Sequence, residues 1–243
     1  MSINIINLRK EYKDVVAVND LNLQIKEGEL FSLLGVNGAG KTTLIKMLST
    51  LIKPTSGEAF INGFSILTEE DKVKDLIDIS MQETAVCRNL TVDENIVFYA
   101  ELNGQSKEEI SKSKKYIYQV FGLDEVKNKK AKKLSGGWQR KLSIALALVN
   151  KPKILFLDEP TLGLDVIARR ELWETIKALK GDMTIILTTH YMEEAEILSD
   201  RIGIMKNGKL LFVGSKDELY KQTNKNNVEN AFINIVSGGE LDE

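Results

Sequence analysis

Residues Gly35-Val36-Asn37-Gly38-Ala39-Gly40-Lys41-Thr42 follow the pattern G-x-x-x-x-G-K-T, a spacing suited to holding phosphate. Glycines let the backbone curl so that successive N–H groups face inward, where they can cradle phosphate oxygens. Residues 29–34 before the motif, four of them apolar, read as a buried strand, and residues 41–51 after it read as a helix. That helix would add its N-terminal partial positive charge to the cradle. In this setting Asn37, Gly38, Ala39 and Gly40 supply backbone donors. Lys41 reaches the β- and γ-phosphates, the Thr42 hydroxyl is a Mg²⁺ ligand, and Thr43 adds an oxygen contact. A glycine-rich turn before a helix can be purely structural, but strand, turn and helix here stand in the order a nucleotide loop needs. The motif does not by itself say which nucleotide chemistry follows. A guanine-reading N-K-x-D is missing, because Asn128-Lys129-Lys130-Ala131 lacks the aspartate and lies in a lysine run. A small-molecule kinase stays open on this motif alone.

A second acidic centre lies at Ile154-Leu155-Phe156-Leu157-Asp158-Glu159-Pro160. An apolar strand ending in two acids places them at the carboxyl edge of a parallel sheet, where ligands bind. Asp158 can hold Mg²⁺ and Glu159 can orient and deprotonate an attacking water. The chain has one histidine, His190, which excludes any metal site needing two, and one cysteine, Cys87, which excludes an internal disulfide. His190 follows the apolar run 184–188, 31 positions after Glu159. Leu134-Ser135-Gly136-Gly137-Trp138-Gln139-Arg140 opens a helix with an apolar face of Trp138, Leu142, Ala145 and Val149. Ser135 as a helix cap accounts for the serine. It does not account for two adjacent glycines, which cost stability unless something must approach the backbone closely.

Strand-like and helix-like segments alternate, which predicts an α/β core with a parallel sheet. Residues 154–157 and 184–188 read as strands covered on both faces. Asn207-Gly208 between residues 202–206 and 209–213 predicts a hairpin, because both turn positions favour positive φ. From about residue 85 or 91 to 149 the pattern is helical and lysine-rich, which predicts an inserted helical lobe. Thr91 and Glu94 fit a capping box at its start. Lysines 127, 129, 130, 132 and 133 read as a solvated loop. Residues 221–230 are polar and read as loosely held. The 243 residues carry 43% hydrophobic and 28% charged side chains, as globular chains do. The net charge of −2 gives no sign of a nucleic-acid partner. No basic-then-apolar leader and no apolar stretch of roughly 20 residues is present, which predicts a cytoplasmic chain.

Taken together, these motifs and their order resemble the ATP-binding cassette family over nearly the whole chain. Residues 35–42 match the Walker A loop and residues 154–159 the Walker B strand with its glutamate. Gln82 falls where the family has its Q-loop glutamine. Residues 134–138 match the signature L-S-G-G-Q except at Trp138, Leu162-Gly163-Leu164-Asp165 resembles the D-loop, and His190 the switch histidine. Tyr12 stands where an aromatic stacks on adenine and Val18 where an apolar residue packs nearby.

The resemblance implies one nucleotide-binding unit over residues 1–243. It has a RecA-like parallel-sheet core with an antiparallel β subdomain (about 1–84 and 150–220), a helical subdomain (about 85–149) and a C-terminal tail (221–243). It implies ATP and Mg²⁺ as cofactors, Mg²⁺ being held by Thr42, Gln82 and Asp158, and catalysis by Glu159, His190 and Gln82. It also implies a head-to-tail pair of cassettes. Ser135, Gly136 and Gly137 of each would close on the other's ATP, and Asp165 would lie at the contact. The expected partner is an integral membrane permease on a separate chain, docked near residues 83–95. Residues 90–95 and 228–233 look like those of drug- and lipid-exporting cassettes, which places the chain on the cytoplasmic face of the cell membrane. A second reading, a cassette ATPase acting on nucleic acid or ribosomes, would lead one to expect two cassettes or a long coiled coil between residues 41 and 134. The sequence shows neither.

Overall fold

The computed structural model of the chain describes residues 2–238. The chain opens with β1 (Ile3–Tyr12) and β2 (Val15–Ile25), an antiparallel hairpin turning at Lys13-Asp14. β3 (Leu30–Leu34), α1 (Lys41–Leu48), β4 (Ser56–Ile61), β5 (Phe64–Ser65), α2 (Glu70–Lys74) and β6 (Ile77–Ser80) follow. The helices α3 (Val92–Leu102), α4 (Lys107–Phe121) and α5 (Gly136–Ala147) come next, with two 3₁₀ turns before α5. Then come β7 (Ile154–Asp158), α6 (Val166–Ala178), β8 (Thr184–Thr189), α7 (Met192–Leu198), β9 (Arg201–Lys206) and β10 (Lys209–Gly214). The last described elements are α8 (Lys216–Thr223) and α9 (Val228–Ser237).

Two sheets result. β2-β1-β4-β5 is antiparallel, and β10-β9-β3-β8-β7-β6 is parallel except for the β10 edge. Every residue of β3, β7 and β8 is buried, as the unbroken apolar runs predict for strands covered on both sides. Alternate side chains separate the two faces. Leu155, Leu157, Ile185 and Leu187 pack toward α3–α6, while Ile154, Phe156 and Ile186 pack toward α1 and the antiparallel sheet.

The register aligns the strand ends. Asp158 lies opposite Thr188, and Leu34 opposite Thr189 on the other side of β8, so the segments leaving β3, β7 and β8 start side by side. Ser80, paired with Leu157, brings Gln82 off the neighbouring β6.

Helix α1 ends at Leu48 rather than at residue 51, because Thr50 takes a left-handed conformation (φ 60°). The helical stretch appears where its pattern places it, and Thr91 and Glu94 form the reciprocal capping box. The Asn207-Gly208 turn has φ of 48° and 75° and closes the β9–β10 hairpin. The polar tail is more ordered than its composition predicts. Ser215 and Glu218 cap α8, Asn227 caps α9, and Val228, Ala231 and Phe232 bury against β9, β10 and α7. The polar residues of 221–230 are the outward face and caps of helices held by a few apolar anchors. The end of the predicted tail, residues 239–243, lies outside the described residues.

Candidate active site

The phosphate loop owes its path to close backbone packing. A Cβ on Gly40 (φ 107°) would stand 2.2 Å from the Ala17 carbonyl, and one on Gly35 would stand 2.5 Å from that of Met205. Neither position tolerates a side chain. Gly38 differs, because its φ of 81° needs glycine while nothing fills the space a Cβ would take. The Asn207-Gly208 turn pins this loop. Gly208 N–H donates to Ala39 O, and Gly208 O accepts from Asn19 N–H, both at 2.9 Å. One hairpin tip thus ties the phosphate loop to the antiparallel sheet.

A cleft of about 590 Å³ opens over the loop. Tyr12, Asn37, Gly38, Ala39, Gly40, Lys41, Thr42, Thr43, Gln82, Glu159 and His190 line it, so most of the predicted nucleotide residues converge there. Lys41 is buried, and its Nζ donates to Gly35 O at 2.6 Å. The Thr42 hydroxyl lies 3.1 and 3.0 Å from the two Asp158 oxygens. Thr188 Oγ1 donates to Asp158 Oδ1 at 2.5 Å and accepts from Glu159 N–H at 3.1 Å. Glu159 adopts a left-handed backbone (φ 49°), a conformation that costs a non-glycine residue on the order of 1–3 kcal/mol and is concentrated at functional sites. Its carboxylate is gripped on both sides, Oε1 3.2 Å from Lys41 Nζ and Oε2 2.6 Å from His190 Nδ1.

These donors suit Mg²⁺ with a triphosphate. Among the described residues no three His, Cys, Asp or Glu side chains form a metal cage. A carboxylate beside a hydroxyl at the mouth of a phosphate loop is the partial oxygen set that Mg²⁺ completes with water and phosphate. The open volume at Gly38 and the inward-curled loop fit a phosphate chain.

Val18 corrects the sequence reading. It is fully buried in the core beneath the cleft, and the apolar lining comes from Val15, Val16 and Ala17 at the hairpin tip. The register shift between the Lys10–Val18 and Glu11–Val16 pairs interrupts the alternation, so Val18 turns inward while Val16 stays exposed. Ser135, Gly136, Gly137 and Asp165 do not line the cleft. They sit at the starts of α5 and α6, where Ser135 accepts from Trp138 N–H and Asp165 from the Ile167 and Ala168 N–H groups. Gly137 is close-packed, since a Cβ there would meet Ala168 Cβ at 3.0 Å, whereas a Cβ on Gly136 would meet nothing within 4 Å. Trp138 packs on the helical core with Lys141 Nζ 4.8 Å from its ring centroid, and Gln139 turns back to donate to Leu134 O at 3.0 Å.

Sequence reasoning missed Arg140. Only 3% exposed, it donates to Pro160 O, Met81 O and Glu159 O, each at 2.7 Å. Burial works to lower its pKa against the opposing pull of Asp158, Glu194 and Glu159. The guanidinium therefore binds the turn after β7 to the segment carrying Gln82. A charged residue inside an otherwise apolar helix face was the available signal. Thr188 was hidden for another reason, since its role depends on strand pairing.

The decisive comparison is the match of residues 18–162 to the family model described as ABC transporter. The chain belongs to the ABC transporter family. The cassette is 45% identical over 203 residues to the human phospholipid-transporting ATPase ABCA3, covering 84% of this chain and 12% of that protein. It is 40% identical over 214 residues to the linearmycin resistance ATP-binding protein LnrL of Bacillus subtilis, covering 88% and 69%. A solved dimeric ATP-binding cassette, MJ0796 in a post-hydrolysis state with ADP and Pi, superposes with a TM-score of 0.77 at 29% identity, covering 88% of this chain and 98% of that one. The cassette thus spans only a small part of its long relative and about two thirds of its short one.

Proposed function

We propose that this cassette binds ATP with Mg²⁺ in the cleft and hydrolyses it to power an exporter of a small molecule, drug, peptide or lipid. The observation that carries this reading is the Glu159 carboxylate, held between Lys41 of the phosphate loop and His190 at neighbouring strand ends. Lys41 and the loop N–H groups hold the β- and γ-phosphates, with Tyr12 beside the adenine. Thr42, Asp158 and Gln82 hold Mg²⁺, which when bound offsets the charge developing on the transferred phosphate. Glu159 orients the attacking water and takes its proton, Gln82 helps place that water, and His190 contacts the γ-phosphate.

Two cassettes pair head to tail in this reading, Ser135, Gly136 and Gly137 of one covering the ATP of the other, with Asp165 at the contact. Three features support it: the unfilled space at Gly136, the dimeric MJ0796 cassette, and the exposed Val166 and Ile167 (64% and 72%) beside Asp165. No helix among the described residues is long and apolar enough to cross a membrane. The membrane part in this reading is a permease on a separate chain, as the family resemblance implies. It docks near residues 83–95, and the cassette works at the cytoplasmic face of the membrane. Asn95 braces that docking segment, its amide bonded to Cys87 N–H, Cys87 O and Thr91 O.

The test is to purify tagged Glu159→Gln cassette from detergent-solubilised host membranes with ATP present. A multi-span membrane protein in stoichiometric amount is the expected partner, and its sequence would point to the cargo. Recovery of ribosomes or nucleic acid instead would overturn the exporter reading.

A further inference from the structure

We propose that Arg169 and Tyr191 are positioning residues that set the His190 imidazole against Glu159, so that the first turn of α6 governs the catalytic pair. The inference rests on the roles given above to Glu159 and His190. It starts from a stack of three side chains. The Tyr191 ring lies 4.1 Å from the His190 ring, centroid to centroid, tilted by 39°. The Arg169 guanidinium lies 4.4 Å from the Tyr191 centroid. His190, at the near end, bonds to Glu159 Oε2 at 2.6 Å.

Other contacts argue that the stack is built for position. Arg169 Nε is buried without a hydrogen-bond partner, and no carboxylate forms an ion pair with this arginine among the described residues. A guanidinium so placed is held by the aromatic face, an interaction that strengthens as water is excluded. The Tyr191 backbone is fixed in turn, its N–H donating to Thr189 Oγ1 at 2.9 Å. His190 has only the Glu159 bond at its ring nitrogens, with its side chain 29% exposed, so the tyrosine ring limits how far it can swing outward.

The far end of the stack is anchored in α6. Arg169 N–H donates to Asp165 O at 3.0 Å, and the adjacent Ala168 is the residue that Gly137 packs against. One helical turn therefore touches the signature segment through residue 168 and, through residue 169, the Tyr191 ring that stacks on His190. A shift of this turn, such as a second cassette pressing on Asp165, reaches the imidazole through the Tyr191 ring.

His190 is the only histidine, so its ring protons give isolated NMR signals in the tag-free chain. These signals and steady-state ATP hydrolysis are measured for the wild-type chain, Arg169→Ala, Arg169→Lys, Tyr191→Leu, Tyr191→Phe and His190→Ala. Tyr191→Leu is expected to abolish the ring-current shift of the His190 protons. It should also lower kcat by about tenfold or more, as loss of alignment does, with KM for ATP within about twofold. Tyr191→Phe, which keeps the ring, should restore both. Arg169→Ala should move both readouts in the same direction, and Arg169→Lys should recover most of the loss. In the His190→Ala background neither Arg169→Ala nor Tyr191→Leu should slow hydrolysis further. Wild-type kcat in Arg169→Ala or Tyr191→Leu, or equal losses in Tyr191→Leu and Tyr191→Phe, overturns the positioning role and leaves the function intact. A wild-type chain that hydrolyses no ATP, or that is matched by His190→Ala, overturns the site reading itself.

Discussion

The Lys41 ammonium stands 3.2 Å from the Glu159 carboxylate, with the two side chains only 6% and 8% exposed. The cation proposed to hold phosphate is thus paired with the carboxylate proposed to act on water. In the function proposed above, an arriving triphosphate would compete with Glu159 for Lys41, and its binding would free the carboxylate to act on a water molecule. Charge neutralisation also lets both groups stay buried, since an unpaired buried charge is costly.

That competition separates two substitutions. Glu159→Gln removes the competitor, so ATP should bind at least as tightly as to the wild-type chain while hydrolysis falls about 10²–10⁴-fold. With ATP and Mg²⁺ this variant should elute as a dimer. Lys41→Ala should lose both affinity and turnover. Calorimetric titration and phosphate release measure the two quantities, and Glu159→Gln binding ATP tenfold more weakly would contradict the competition.

Arg140 donates to three main-chain carbonyls, two of these bonds being fully buried. Arg140→Met keeps much of its volume but leaves those acceptors bare, a loss of about 2–4 kcal/mol. For a chain of this size the melting midpoint should drop by about 5–10 °C. Because the guanidinium joins the Gln82 segment to the Glu159 turn, hydrolysis should fall even well below the new midpoint. Thermal unfolding and turnover at 20–25 °C separate the two effects, and an unchanged midpoint would refute the bracing role.

Gly136 and Gly137 should part company when replaced by alanine. Alanine is the better helix former by up to about 1 kcal/mol. At Gly136 nothing in the chain opposes it, so the monomer should keep or gain stability. Hydrolysis and ATP-dependent pairing should nonetheless fall, because in the proposed pairing the methyl group would enter the space of the partner's nucleotide. At Gly137 the 3.0 Å contact with Ala168 offsets the helix gain, and stability should change little or decline. Denaturation and size-exclusion runs with ATP check both, and wild-type turnover in Gly136→Ala would remove the case for an outside ligand there.

Asp78 on β6 adds a pH-dependent contribution to stability. Burial raises its pKa to about 6, partly opposed by the Ile79 N–H that its carboxylate accepts. The folded chain therefore keeps a proton that the unfolded chain has released. The stabilisation is complete below the unfolded value of 3.8 and is lost as pH rises toward 6. Asp78→Asn should be more stable than the wild-type chain at pH 7 by on the order of 1–2 kcal/mol, and the advantage should vanish below about pH 4. Urea unfolding of both chains across pH 4–7.5 tests this through their difference, and a gap that widens on acidification would reverse the assigned sign.

The nucleotide loop, the Asp158-Glu159 strand end, His190, the helical insertion and the Asn207-Gly208 hairpin were all legible in the sequence. Each depends on local rules: glycine where φ is positive, apolar runs where both faces are covered, caps where helices begin. Val18 escaped that reading because its side depends on the twist and bulges of the β1–β2 hairpin, not on distance from Tyr12. The order of residues 216–238 escaped it because two short helices anchored by Leu219 in one and by Val228 and Phe232 in the other look like a linker until their docking faces are known.

Residue types and spacing alone determined the chemistry available, namely a phosphate cradle, a carboxylate pair and one imidazole. Only the tertiary structure decided which groups meet. Parallel pairing of β3, β7 and β8 in this register brings Lys41, Glu159 and His190 within ion-pair distance although up to 149 positions separate them. The Arg140 clamp and the Arg169–Tyr191–His190 stack exist because α5, α6 and α7 pack together at that strand edge. Such contacts follow from the mutual burial of distant apolar faces, which the chain encodes as a whole and no local pattern spells out.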